Sequence, residues 1–150
     1  MMTVDTESYI NDYTGSHPGN ELQIIYTVTN TTPGTDPDDR LINFTLSAGS
    51  NQGVYDAVAP TDWTFTINAD DTFFSTNDTS KYIQPNNGQG VFEIYSTNLG
   101  TMQGLAKAAS VGNGGFNDVT VDIPAPEPGT MALMALGLFG LMAKRRKGSA

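Results

Sequence analysis

Residues 22–30 read Leu-Gln-Ile-Ile-Tyr-Thr-Val-Thr-Asn, and this stretch decides the fold. Leu22, Ile24, Tyr26 and Val28 alternate with Gln23, Ile25, Thr27 and Thr29. Successive side chains of a strand point to opposite faces, so a period of two marks a strand with one buried face. The same period recurs outward from this stretch. Ile42, Phe44 and Leu46 alternate with Asn43, Thr45 and Ser47; Trp63, Phe65 and Ile67 alternate with Thr64 and Thr66; Val119, Val121 and Ile123 alternate with Thr120 and Asp122. Residues 53–58 and 91–95 read as shorter strands, and Phe73 and Phe74 form a brief run after Asp70 and Asp71. Turn residues separate them, among them Pro33, Gly34 and Pro37.

Short alternating strands at this spacing predict an all-β body, an immunoglobulin-like or Greek-key antiparallel β-sandwich over 22–123. Its expected core includes Trp63, Phe65, Ile67, Phe44, Phe92 and Val121. Residues 99–110 are ambiguous. Leu99, Met102, Leu105, Ala106 and Ala109 have helical spacing, but Gly100 and Gly104 weaken a helix, so strand or irregular structure is the preferred reading. Residues 1–21 are polar, without a sustained period, and form a separate N-terminal segment. They lack the basic region, apolar run and cleavage site of a secretory signal peptide.

Composition narrows the chemistry. The chain has 150 residues, no cysteine and one histidine. A disulfide framework, a cysteine nucleophile and thiolate-ligated zinc are excluded. All sixteen acidic residues lie within 1–128, accompanied only by Arg40, Lys81 and Lys107, a balance of −13. Such a body is repelled by phosphate backbones, which argues against nucleic-acid partners. The remaining basic residues are consecutive: Lys144, Arg145, Arg146 and Lys147.

Residues 124–129 form a proline-rich linker, with Pro124, Pro126 and Pro128 holding the backbone extended. Residues 130–143 follow without a charge, and Thr130, Leu133, Leu136, Leu138, Phe139 and Leu141 mark the expected apolar helix. Fourteen residues at about 1.5 Å each reach about 21 Å, short of a hydrocarbon core of roughly 30 Å. Gly129 and the snorkelling basic quartet extend the span. Residues 144–150 form the basic tail, and the positive-inside rule holds them in the cytoplasm with the acidic body across the inner membrane.

This ordered set resembles the PEP-CTERM sorting signal of Gram-negative bacteria: Pro126, Glu127, Pro128, then Gly129 and Thr130, the apolar run, and the stop at Lys144, Arg145, Arg146 and Lys147. The resemblance implies that an exosortase recognises the signal and removes the tail, and that the body is sorted to the cell envelope or exopolysaccharide matrix. The partners implied are the exosortase, inner-membrane lipid before processing, and exopolysaccharide. Members of the family normally carry an N-terminal export signal. Residues 1–21 show none, as a truncated or wrongly placed start would leave them. The body resembles the β-sandwich domains of such exported proteins at Tyr26-Thr27-Val28-Thr29-Asn30, Pro60, Trp63, Ile83-Gln84-Pro85 and Gly90-Val91-Phe92.

Weaker chemical signals stand beside this one. His17 sits in a Gly/Pro loop without a nucleophile motif. Asp36, Asp38 and Asp39 offer hard oxygens that suit calcium, but the spacing is not an EF-hand loop and a solvated turn is the better account, so no cofactor is expected. Asp70 and Asp71 form a second such turn. Trp63 is either core or a sugar-stacking platform. Asn30, Asn43 and Asn77 each begin a glycosylation sequon. No arrangement of carboxylates is fixed by spacing for glycoside hydrolysis. The expected function is therefore a non-enzymatic exported surface or matrix protein. The alternatives are a carbohydrate-binding module or sugar-active enzyme delivered by the same tail, and a permanently tail-anchored membrane protein.

Overall fold

The structure, a computed structural model, describes residues 1–11, 21–47, 53–112 and 118–125. These residues are all-β apart from one 3-10 turn, Pro37–Asp39. The strands are β1 (Met2–Asn11), β2 (Glu21–Asn30), β3 (Leu41–Ser47), β4 (Val54–Val58), β5 (Thr64–Ile67), β6 (Asp71–Ser75), β7 (Gly88–Ser96), β8 (Thr101–Ser110) and β9 (Val119–Pro124). They form two antiparallel sheets, ordered β1-β2-β7-β4 and β5-β6-β3-β8-β9.

The deciding stretch becomes an interior strand. Leu22, Ile24, Tyr26 and Val28 of β2 are buried, and Gln23, Ile25 and Thr27 between them are half-buried. Tyr26 stands opposite Thr6 of β1 and Phe92 of β7. From the other sheet, Phe44 stands opposite Phe74. The four aromatic side chains meet between the sheets. Phe92 lies 5.0 Å from both Phe44 and Phe74, and Tyr26 lies 6.1 Å from Phe44, measured between ring centres. Large rings from both inner faces fill the roughly 10 Å gap of a sandwich, and their tilted geometry suits the ring quadrupoles. The Tyr26 hydroxyl donates to the Asp122 carbonyl at 2.7 Å, so the buried phenol keeps a polar partner and joins β2 to β9.

Several expectations change in the folded chain. The polar segment read over 1–21 contributes β1, which pairs with β2 along its whole length. Met2 is buried there and Val4 and Thr6 are partly so, while Tyr9 and Ile10 are exposed. An edge strand held by backbone bonds needs no sustained apolar period. The ambiguous region resolves as strand β8. Its Gly104 lies against Ile123, where an added Cβ would come within 2.6 Å of Cδ1, so the glycine serves close strand-to-strand packing.

Phe65 was expected in the core and is instead 40% exposed. It faces inward, opposite Phe74, but β5 is a four-residue edge strand with nothing beyond it in the sheet. Ile67 is half-buried, packed against the core. Trp63, Phe44, Phe92 and Val121 are buried. The expected apolar helix over 130–143 lies outside the described residues.

Candidate functional site at the start of the sorting segment

The chain leaves the sandwich along β9. Thr101 of β8 pairs with Pro124, and the Ala125 amide donates to the Gly100 carbonyl at 2.8 Å. Pro124 has no amide to donate, which an edge strand tolerates. Its side chain is buried and Ala125 is half-buried. The body is therefore bonded up to the residue before Pro126. The motif residues Pro126, Glu127 and Pro128, the apolar residues Thr130, Leu133, Leu136, Leu138, Phe139 and Leu141, and the stop Lys144, Arg145, Arg146 and Lys147 lie outside the described residues, as does His17.

Around this exit the surface mixes exposed apolar side chains with uncharged polar ones. An open groove of about 380 Å³ is lined by Tyr9, Ile10, Leu22, Leu99, Gly100 and Thr101, with Ser8 completing it. Ile10 is 61% exposed and Leu99 45%. Met102, opposite Ile123, and Tyr55, beside the β4–β7 pairing at Val54 and Ser96, are exposed at the same pole. Sequence reasoning missed this surface because it took β1 for a separate segment and so did not bring Tyr9 and Ile10 beside Leu99.

The outer face of the first sheet holds a second feature invisible in the linear sequence. The register places Tyr9, Gln23, Tyr95 and Asp56 in one row across β1, β2, β7 and β4. Glu93 accepts hydrogen bonds from Gln23 Nε2 and the Tyr95 hydroxyl, each at 2.8 Å. Burial, and then the adjoining Glu93 carboxylate, push the Tyr95 phenol up to about 12. The Tyr9 hydroxyl donates to Glu7 on the same face. Among the described residues, buried Glu21 has one carboxylate oxygen without a hydrogen-bond partner.

The remaining sequence candidates find structural surroundings. Asp36 caps the 3-10 turn, its Oδ1 accepting from the Asp38 amide at 3.0 Å. The Asp39 carbonyl accepts from Asn30 Nδ2 at 2.8 Å. Among the described residues, no group of three or more acidic, histidine or cysteine side chains is placed to hold a metal ion. Trp63 is only 8% exposed and packs edge-on to Phe92, with ring centres 5.1 Å apart, while its Nε1 donates to the Lys81 carbonyl. That geometry is a core residue's, not a sugar platform's. Of the sequons, Asn30 is fully buried, Asn43 accepts the Ala109 amide at 2.8 Å, and Asn77 is exposed.

Comparison with known protein families matches residues 124–147 to the PEP-CTERM protein-sorting motif. No curated protein and no solved structure matches the chain. The matched span opens on Pro124, the last residue of β9. The chain thus carries a PEP-CTERM sorting motif directly on an all-β body, and the motif implies an exported protein with an exosortase as its processing partner.

Proposed function

We propose that this chain is a non-enzymatic surface or matrix protein whose exosortase-processed tail delivers a structural sandwich to the envelope or exopolysaccharide matrix. The observation that carries the reading is the sorting motif beginning on the last residue of β9. Before processing, the run 130–143 sits in the inner membrane and Lys144, Arg145, Arg146 and Lys147 remain cytoplasmic. Strand order supports an immunoglobulin-like reading of the body. With the β5–β6 hairpin set aside, the other seven strands pair first-second-fifth-fourth and third-sixth-seventh, as in the seven-stranded constant-type arrangement.

A carbohydrate-binding module would favour an exposed row of aromatics on one sheet face. In the row across the first sheet Tyr9 is exposed but Tyr95 is buried, and Trp63 belongs to the core. This distribution supports the non-enzymatic, structural reading over the binding module.

The test expresses an exported form, with a working signal peptide, in a host that has an exosortase. One tag follows Lys147 and another precedes the body. Loss of the C-terminal tag only where the exosortase is present is the expected result. A tag that is never lost, or is lost equally without the enzyme, sinks the sorting reading and leaves an anchor. Glu127→Ala is expected to leave membrane insertion intact and reduce tag loss.

A further inference from the structure

We infer that the exit pole of the sandwich is a lipid-contacting surface that rests on the membrane holding the apolar run, so the tethered body has one preferred orientation. The inference rests on the anchored state just proposed. Its first support is length. Five steps separate Ala125, bonded to Gly100, from Thr130, the first residue of the apolar run. A fully extended chain covers at most about 18 Å in five steps. The strands of nine and ten residues that run away from this pole are each about 30 Å long. Whatever its path, the tether keeps the exit pole near the bilayer and leaves the opposite pole outside.

The second support is chemistry. Of the ten exposed large apolar side chains among the described residues, five stand at this pole: Tyr9, Ile10, Tyr55, Leu99 and Met102. The groove beside Ala125 has no charged residue in its lining. Aliphatic side chains flanked by tyrosines match the boundary between headgroups and acyl chains, where an aromatic ring keeps a polar end in water. Individually these residues bind nothing. Held at a bilayer by a covalent tether, they act at high effective concentration, so a weak surface affinity is enough to orient the body. Carboxylates rim this pole on the outer face of the first sheet, where Glu7 accepts from the Tyr9 hydroxyl and Asp56 shares the Tyr9 row, and none lines the groove.

The experiment uses the full chain in phosphatidylcholine vesicles carrying a fraction of nitroxide-labelled lipid. The natural chain has no cysteine, so Ile10→Cys, Leu99→Cys, Thr35→Cys and Leu136→Cys each give a single fluorophore site. Labels at 10, 99 and 136 are expected to be quenched by the lipid nitroxide and shielded from an aqueous quencher, and the label at 35, on the opposite pole, to show the reverse. Ile10→Ser combined with Leu99→Cys is expected to weaken the lipid quenching at 99 while the circular dichroism of the body stays unchanged. If the label at 136 is in lipid but those at 10 and 99 stay fully open to the aqueous quencher, the inference fails and the anchor stands. If the label at 136 is itself in water, the anchor reading fails and the inference falls with it. Shielding at 10 and 99 that appears only when exosortase is added overturns the lipid assignment in favour of a protein contact.

Discussion

The two poles of the sandwich are built on opposite terms. At the pole away from the tail, Asn30 ends β2 fully buried and donates to the carbonyls of Asp39 and Ile83, at 2.8 and 3.2 Å. Leu41 and Ile83 exchange backbone hydrogen bonds, the Asn87 amide donates to the Asn30 carbonyl, and Trp63 reaches the Lys81 carbonyl. Arg40 lies over the Tyr82 ring. One buried amide side chain thus ties the end of β2 to the nearby 3-10 turn and to the distant segment at Ile83. At the exit pole the surface offers Ile10, Leu99 and Met102 to its surroundings. The closed pole contributes to the fold's stability, whereas the open pole exposes apolar area whose burial would need a second phase.

That contrast breaks first, if it breaks, at Trp63. Trp63→Ala removes a buried ring and is expected to cost about 3–5 kcal/mol in denaturant unfolding. Phe65→Ala, two positions along on the half-exposed edge, is expected to cost well under half as much. Equal losses would mean that the edge strand is as closely packed as the core.

Next comes Asn30→Ala, which leaves two carbonyls short of a buried donor and is expected to cost about 2–3 kcal/mol. A loss below about 0.5 kcal/mol would remove Asn30 from its role as the tie of the closed pole.

A smaller effect is expected in alkali. Folding raises the Tyr26 phenol, chiefly by burial, and lifts Tyr95 to about 12, both from an ordinary value of 10.0. The folded state then holds protons that the unfolded chain gives up. Stability contributed by these phenols is complete below pH 10 and falls as pH rises through the range to about 12. Phenolate absorbance should show these two tyrosines titrating later than the exposed ones while the body stays folded. A melting temperature flat across that range would count against the burial of both.

The smallest effect belongs to the open pole. Ile10→Ser and Leu99→Ser are each expected to change stability by no more than about 0.5 kcal/mol, because their side chains are already exposed. A loss of several kcal/mol would show that they pack within the body and would make the two poles alike.

How much of this the sequence disclosed follows from where each residue sits. β2 was legible because it is interior to its sheet, with one face in the core and the other half-covered, the condition that produces strict alternation. β1 was not, since an edge strand loses the alternation where its side chains meet solvent on both faces. Trp63 and Phe65 share a period and a face, yet only position across the sheet decides burial, and that is a tertiary fact. The sorting tail was legible because its parts are contiguous: prolines, an apolar run and four cations in order. The Glu93–Gln23–Tyr95 network and the groove at the exit required strand register, which no local pattern carries.

The hydrogen bond from Ala125 to Gly100 sets a boundary for proteolysis. A protease binds its substrate as several residues of free, extended chain. Along β9 and at Ala125 no such chain exists while the body is folded, because Pro124 is buried and β9 is laddered to β8. An enzyme that cuts between the folded body and the sorting segment is therefore kept off β9 and confined to bonds beyond Ala125. One that cuts earlier must first strip β9 from its sheet and free the Asp122 carbonyl from Tyr26. A misfolded body would present extra cleavable chain at the same point, so the position of the new C-terminus reports whether folding preceded cleavage.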